Sequence, residues 1–304
     1  VIKKRNEIKL MPKIHIITDA DLDGAGSYLC LKYAYENASV SYSVTTEKKF
    51  LVDIAFFDFK KYDLVIISDL NLKEEEIKLC DFKNVIIIDH HKEHTELVSY
   101  YKNAKPIVKD YTSCTKLIYD TFKLDGKLNK NQKLLIKLID DYDSYTLKLP
   151  FSKPLNQVFW SYTGDRVNKF EEDFKAGFFG FNQFHKNALK IIESKIDRFF
   201  KEEVIHTGSI KIGGNDYNIA GVMVTFSPNE IAENIIEKYK VDFVIMINIK
   251  GKSVYMRRSK ECTLNMGKLA SKLIEGGGHE DAAGGILNDS IINITKFLKP
   301  INEK

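Results

Sequence analysis

Three short apolar runs punctuate the first third of the chain: Ile14-His15-Ile16-Ile17-Thr18, Leu64-Val65-Ile66-Ile67-Ser68 and Asn84-Val85-Ile86-Ile87-Ile88. Their length and β-branched content predict strands buried on both faces of a parallel sheet. Helices are predicted at residues 28–35, opened by Gly24-Ala25-Gly26-Ser27, at 73–80 with Glu74, Glu75 and Glu76 in the first turn, at 113–122 and at 131–139. Strands alternating with helices predict an α/β fold, a doubly wound and mainly parallel sheet over residues 11–150.

Beyond residue 150 the pattern changes. Phe170, Phe174, Phe178 and Phe181 recur at helical spacing, interrupted by Gly177 and Gly180, and Leu189, Ile192, Ile196 and Phe199 form a second stripe. Residues 151–205 are therefore read as a helical linker, with the phenylalanines packing rather than stacking on bases. A smaller α/β domain is expected over residues 206–304. It opens with a hairpin turn at Gly213-Gly214-Asn215-Asp216. Ser227-Pro228-Asn229-Glu230 reads as a capping box with proline at the first helical position, starting a helix that runs to about residue 240. Strands over 241–248 and 253–256 and a helix near 266–274 complete it. Residues 1–10, mostly charged, are read as a peripheral extension.

Composition narrows the classes. A chain of 304 residues with 44% hydrophobic and 29% charged residues is globular and long enough for two cores, and a formal charge of +4 is too small to mark a nucleic-acid footprint by itself. Cys30, Cys80, Cys114 and Cys262 are scattered, which favours reduced thiols. No signal-like stretch opens the chain and no run approaches the ~20 apolar residues of a membrane span, so a cytoplasmic protein without membrane contact is expected.

The chemistry sits where the three apolar runs end. Asp19-Ala20-Asp21-Leu22-Asp23-Gly24 follows the first, Asp69 the second and Asp89-His90-His91 the third. In an open α/β sheet, groups just past the carboxyl ends of neighbouring strands converge on one crevice. Aspartates brought so close cannot all stay ionised unless protons or cations intervene. Asp21, Asp23, Asp69 and a fourth carboxylate carry the charge that two divalent cations would neutralise, and carboxylates with imidazoles suit Mn²⁺ first and Mg²⁺ next. Two metals imply a hydrolase.

Asp89-His90-His91, downstream of Asp19-x-Asp21-x-Asp23-Gly24, resembles the signature of the DHH phosphoesterase superfamily, and Asp69 matches the lone aspartate of its second motif. Gly276-Gly277-Gly278-His279-Glu280-Asp281-Ala282-Ala283-Gly284-Gly285 resembles the glycine-rich motif of the DHHA1 domain that accompanies it. The resemblance implies a catalytic domain with two Mn²⁺ or Mg²⁺ ions, a linker, and a smaller domain that folds over the cleft and binds substrate. Carried over by position, Asp21 ligates one metal, Asp23 the other, Asp69 bridges the pair, His90 completes the ligands of the second metal, and His91 lies near the substrate phosphate. A bridging carboxylate holds two cations about 3.5–4 Å apart, where both act on one phosphoryl group.

The fourth carboxylate comes from Asp140-Asp141-Tyr142-Asp143. Asp141 aligns best with the family's isoleucine-x-aspartate pattern and is expected to close the metal shell, with Asp143 as the alternative. Asp140 and Asp143 are otherwise read as turn or helix-end residues. Ile17 stands where pyrophosphatase-like members carry a histidine, and Asp19 makes the loop similar to that of RecJ-type exonucleases, as a ligand or a partner behind the metals. His15 is read as satisfied within the core, and His94, His185 and His206 as surface or packing residues. In the glycine-rich segment, Gly277 and Gly278 let backbone N–H groups approach a phosphate, His279 adds a hydrogen bond, and Arg258, before Ser259, fits the family's substrate-binding arginine. Arg257 is expected to face solvent.

The function these features imply is a two-metal phosphodiesterase acting on the ends of single-stranded DNA or RNA, or on short oligonucleotides, and releasing nucleoside monophosphates. The absence of a large inserted oligonucleotide-binding module favours short substrates. Alternatives are a cyclic-dinucleotide or nucleoside-bisphosphate hydrolase, an inorganic pyrophosphatase, and a non-catalytic nucleic-acid-binding scaffold. Protein partners and oligomeric state are not legible.

Overall fold

The computed structural model describes residues 11–278, 280–287 and 299–300. The chain divides into two compact units between Leu189 and Lys190. The first contains β1 (Lys13–Asp19), α1 (Leu22–Ala34), β2 (Ser39–Thr45), α2 (Glu47–Ala55), β3 (Leu64–Ser68), α3 (Glu74–Cys80), β4 (Val85–Asp89), α4 (Lys92–Thr95), β5 (Lys105–Val108), α5 (Cys114–Thr121), α6 (Lys130–Asp143), α7 (Ser152–Ser161) and α8 (Arg166–Phe174). All four strand pairings are parallel, in the order β2-β1-β3-β4-β5. The chain steps from β1 out to β2 and then back past β1 to β3. The topological switch point, where such sheets bind ligands, therefore lies between β1 and β3.

The three predicted strands are observed as β1, β3 and β4, whereas β2 and β5 were not predicted, and the continuous apolar character of the three has a direct cause. Ile14, Ile16, Ile66 and Ile88 pack beneath α1, α5 and α6, while Ile17, Val65, Ile67, Val85 and Ile87 pack on the opposite face against Phe50, Ile54 and Ile77. Both faces of the central strands are covered, so neither can be polar. Edge strand β2 differs. Its alternation of serine with Val40, Tyr42 and Val44 leaves it half exposed, so it carries no continuous apolar run.

Helices α7 and α8 depart from the linker expectation. Leu155, Val158, Phe159, Phe170 and Phe174 are buried in the same core as α1 and α6. Tyr28 donates to Glu171 at 2.8 Å and Lys32 pairs with the same carboxylate, tying α1 to α8. The phenylalanine stripe is thus packing, as expected, but it belongs to the first unit. Helix α9 (Gln183–Glu202) runs across the division.

The second unit holds β6 (His206–Ile212), β7 (Asn215–Met223), α10 (Pro228–Tyr239), β8 (Phe243–Asn248), β9 (Ser253–Arg258), α11 (Met266–Leu273), β10 (Gly277–Gly278), β11 (Ala282–Ile286) and β12 (Lys299–Pro300). They form one sheet in the order β10-β11-β9-β8-β7-β6-β12, with β7 and β8 parallel and the other pairs antiparallel. The hairpin turns at Gly213-Gly214 as expected. The capping box does not form. Ser227 is left-handed, at φ 42° and ψ 52°, and its side chain makes no capping bond, because an N-cap hydroxyl reaches the helix amides only from an extended backbone. No described helix is long and apolar enough to cross a membrane.

Candidate metal centre

The loop after β1 is closed by short hydrogen bonds. Asp21 accepts from the Gly24 amide at 2.9 Å and so caps α1, while the Thr18 hydroxyl donates to the Gly24 carbonyl at 2.9 Å and Ser68 of β3 donates to Thr18 at 3.1 Å. A Cβ on Gly24 would stand 2.2 Å from the Asp19 carbonyl oxygen, so only glycine lets the loop fold back this far. Asp23, in the first turn of α1, turns away towards α5. Its two oxygens accept from the Cys114 amide at 2.7 Å and the Thr115 amide at 2.9 Å, amides that a helix N-terminus leaves without intrahelical partners. The Asp23 carboxylate is thereby fixed in place.

Asp69 directly follows β3 and adopts φ +60°, an uncommon backbone for a residue with a side chain. The turn aims its carboxylate inward. It is 4% exposed, and its Oδ2 is buried with no hydrogen-bond partner. His90, after β4, donates from Nδ1 to the Tyr111 carbonyl at 3.3 Å. In the neutral ring that bond leaves the Nε2 lone pair facing the carboxylates. Nε2 stands 3.3 Å from Asp69 Oδ1, 3.7 Å from Asp143 Oδ2 and 3.8 Å from Asp23 Oδ2. Ligand atoms of Asp23, His90 and Asp143 lie within 4.8 Å of one another, as do those of Asp69, His90 and His91.

The crowding moves proton equilibria across the cluster. Burial, together with the charge of Asp23, pushes the carboxyls of Asp69, Asp143 and Asp21 up, the first two well above the usual range. Burial and Asp21 push Asp19 up to about 8. Asp89 goes the other way. Burial opposes its ionisation, but hydrogen bonds from His91 and His94 prevail and hold it well below an ordinary carboxyl. Burial likewise works against charging His90 and His91, yet the carboxylates around them, Asp23 and Asp143 for one and Asp89 for the other, raise both. Carboxylates that cannot all ionise, an unpartnered buried oxygen, and an imidazole oriented by a backbone carbonyl fit a divalent cation with oxygen and nitrogen ligands.

The fourth carboxylate requires a correction. Asp141, expected to close the metal shell, accepts instead from Thr146 and Ser152 hydroxyls at 2.5 and 2.6 Å and from Lys148 and Leu149 amides, both at 2.9 Å. It organises the loop after α6, and these donors hold its carboxyl below the ordinary range even though burial acts in the opposite sense. Asp143, the alternative, is the residue that faces His90 and Asp23. Asp140 accepts from Thr112 and Ser113, a structural role as expected. Asp19 ends β1 beside Asp21. Glu47, at the start of α2, was not foreseen, since the strand that leads to it was not; its charge acts on both Asp19 and His91.

The remaining histidines divide. His15 is satisfied by Ser41 at 2.9 Å and Ser43 at 3.0 Å, and His185 by Tyr162 and Asp173. His206 opens β6, partly exposed. His94 takes the packing rather than the surface half of its expectation, fully buried and bonded to Asp89 at 2.7 Å.

In the second unit, Arg257 corrects its expectation, being 5% exposed and bonded to Asn229 at 2.7 Å. Arg258 is paired with Asp281 at 2.6 Å. Gly277 and Gly278 are exposed and pair with Gly284 and Ala283. A Cβ on Gly276 would lie 2.1 Å from the Gly284 carbonyl oxygen, whereas one on Gly277 would meet nothing within 4 Å. Strand packing thus accounts for Gly276, and Gly277 presents an open backbone face. His279 lies outside the described residues.

The sequence matches the family model described as "DHH family, N-terminal domain" over residues 13–142 and the model of the DHHA1 domain over residues 227–304. A search of curated protein sequences gives no match. Among solved structures, the chain is similar to the pGpG-specific phosphodiesterase PggH from Vibrio cholerae, with 13% identity and a TM-score of 0.56, over 93% of this chain and 96% of that one. It is also similar to an exopolyphosphatase-related protein from Bacteroides fragilis, at 13% identity and a TM-score of 0.52, over 95% of this chain and 91% of that one. RecJ from Thermus thermophilus in complex with Mn²⁺ aligns at 11% identity and a TM-score of 0.55, over 94% of this chain but 51% of that one. At such identities the likeness is one of fold.

Proposed function

The chain belongs to the DHH/DHHA1 superfamily of metal-dependent phosphoesterases, and from that premise we propose that it is a two-metal phosphodiesterase removing terminal nucleotides from short single-stranded oligonucleotides. The observation that carries the reading is the buried, unpartnered Oδ2 of Asp69 in a carboxylate whose other oxygen is 3.3 Å from His90 Nε2. A bound cation would supply the partner that this oxygen lacks.

Asp21, Asp23, Asp69, Asp143 and His90 would hold two ions, Mn²⁺ first and Mg²⁺ next, with Asp19 alongside. Bound there, divalent ions acidify water and polarise phosphoryl oxygens. The chain's own part is preorganisation. Asp21 is tied to the first turn of α1 and Asp23 to that of α5, so neither carboxylate must reorganise during turnover. His91, 20% exposed at its side chain and held by Asp89 at 2.8 Å, is proposed to hydrogen-bond a substrate phosphate. Gly277, Gly278 and Arg258 are proposed to bind a second phosphate, with Arg258 exchanging Asp281 for it in a bidentate grip.

A structure of the same fold is named a pGpG-specific phosphodiesterase, and a dinucleotide substrate there supports a short one here.

A panel of end-labelled DNA and RNA oligomers, dinucleotides, cyclic dinucleotides, nucleoside bisphosphate and pyrophosphate, incubated with Mn²⁺, tests the proposal. Mononucleotide release from dinucleotides and short oligomers is expected, with none from the Asp89→Ala, His90→Ala double variant. Exclusive cleavage of pyrophosphate or bisphosphate, or equal activity in the double variant, would overturn it.

A further inference from the structure

Behind the candidate metal centre, the carboxylate that holds His91 continues into a buried polar chain whose further members have no role above. Asp89 is 0% exposed, and both of its oxygens are engaged by imidazoles: Oδ1 by His91 Nδ1 at 2.8 Å, Oδ2 by His94 Nδ1 at 2.7 Å. His94, also 0% exposed, has its Nε2 at 2.7 Å from the Tyr101 hydroxyl. Tyr101 is 9% exposed and anchored in the core beneath the sheet, where Leu97 packs against the same cluster.

The backbone explains how one carboxylate meets two histidines. Helix α4 begins immediately after His91, and His94 follows three positions later, about one turn on, so both rings can turn back to the end of β4. The hydrogen-bond arithmetic is then closed. An ionised carboxylate only accepts, so both Nδ1 atoms carry protons, and the Tyr101 hydroxyl, able to donate or accept, satisfies His94 Nε2. A carboxylate gripped at one oxygen can pivot about its last side-chain torsion; gripped at both, it cannot. Its plane sets the plane of the His91 ring, and the Nδ1 bond assigns the lone pair of a neutral ring to Nε2.

We propose that His94, braced by Tyr101, is a positioning residue that acts through Asp89 to fix the orientation and tautomer of His91. The proposal rests on the phosphodiesterase reading for its effect on turnover but not for its effect on the ring. Without His94, Asp89 loses a buried charge-assisted hydrogen bond and His91 samples other rotamers and the second tautomer. A partner of this kind, one step behind a ligand or substrate-contacting histidine, carries about 10- to 100-fold in activity.

Two readouts test it on the full chain, with His94→Leu removing the donor, His94→Asn restoring an amide donor near the Nδ1 position, and Tyr101→Phe deleting only the hydroxyl. The first is long-range ¹⁵N–¹H NMR of the imidazoles in metal-free protein at alkaline pH, where the rings are neutral. His91 is expected as the single Nδ1–H tautomer in the wild type and in His94→Asn, and as a mixture in His94→Leu. Tyr101→Phe is expected to fall between them. The second is Mn²⁺-dependent turnover of a dinucleotide. His94→Leu is expected to lose about 10- to 100-fold in kcat, His94→Asn to recover most of it, and the His94→Leu, His91→Ala double variant to be no slower than His91→Ala alone.

A single unchanged His91 tautomer in His94→Leu, no recovery in His94→Asn, or additive losses in the double variant would overturn the proposal. If His94→Leu does not fold, Tyr101→Phe and His94→Asn carry the same comparison. A wild type that turns over no phosphodiester refutes the functional reading alone, because the tautomer measurement still decides the role of His94.

Discussion

His90 Nε2 stands 3.3 Å from Oδ1 of Asp69, a residue whose left-handed backbone, at φ +60°, leaves its other oxygen buried and unpartnered. A fold that serves stability alone has no reason to hold a carboxylate this way. The arrangement is expected where binding energy from a cation offsets the local strain.

Substitutions of two proposed ligands should therefore move stability in opposite directions. Asp69→Asn keeps the shape, removes charge from a cluster in which burial and Asp23 already disfavour ionisation, and places asparagine in a backbone region it tolerates well. The metal-free protein should gain about 1 kcal/mol. Asp23→Asn loses one of the two acceptors for the Cys114 and Thr115 amides and should cost about 1–2 kcal/mol. Both should abolish Mn²⁺-dependent turnover. Chemical denaturation in the presence of a chelator checks the signs; destabilisation by Asp69→Asn would be evidence against a site built for a cation.

Asp141 and Asp143 should separate stability from activity. Asp141→Ala strands two amides and two hydroxyls, and a loss of about 3 kcal/mol is expected with metal binding retained once the protein is folded. Asp143→Ala should leave the unfolding midpoint of the metal-free protein nearly unchanged or raised, and remove turnover. Calorimetric Mn²⁺ titration of the two variants tells them apart. Normal Mn²⁺ affinity in Asp143→Ala together with its loss in Asp141→Ala would reverse the assignment.

The near miss between these two aspartates shows where sequence reasoning stops. Both sit on the last turn of α6, and at 100° per residue two positions apart means nearly opposite faces. Which face meets His90 depends on how α6 packs on α1 and α5, and that packing is not written in the motif. The strand ends carrying Asp21, Asp69 and His90 were legible because a strand buried on both faces is a continuous apolar run. Edge strand β2 alternates polar and apolar residues around its serines, so neither it nor the nearby Glu47 stands out in the sequence. His94 reads only as a surface or packing residue because a buried histidine and a surface one look alike until the partners, here Asp89 and Tyr101, are in place. At Ser227 the motif was present and the backbone was wrong for it.

His15 gives the fold a pH dependence away from the metal centre. Burial, reinforced by Lys61, holds its imidazole down at about 4, against an ordinary 6.5. The folded ring stays neutral while the unfolded one takes up a proton, so stability is complete above the unfolded value and declines as pH falls from there towards about 4. The loss is on the order of 3 kcal/mol. Urea denaturation of the wild type and His15→Gln across that window should show a slope that flattens in the variant. Identical slopes would mean that His15 does not carry this dependence.

Two divalent ions are proposed to occupy the crevice at the carboxyl ends of β1, β3 and β4. Anomalous scattering from crystals soaked in Mn²⁺ measures this directly. Two peaks about 3.5–4 Å apart, touching Asp69 and with His90 and Asp143 on one of them, are the expected result. No peak within reach of Asp69 Oδ2, or a single ion held by Asp141, would contradict it.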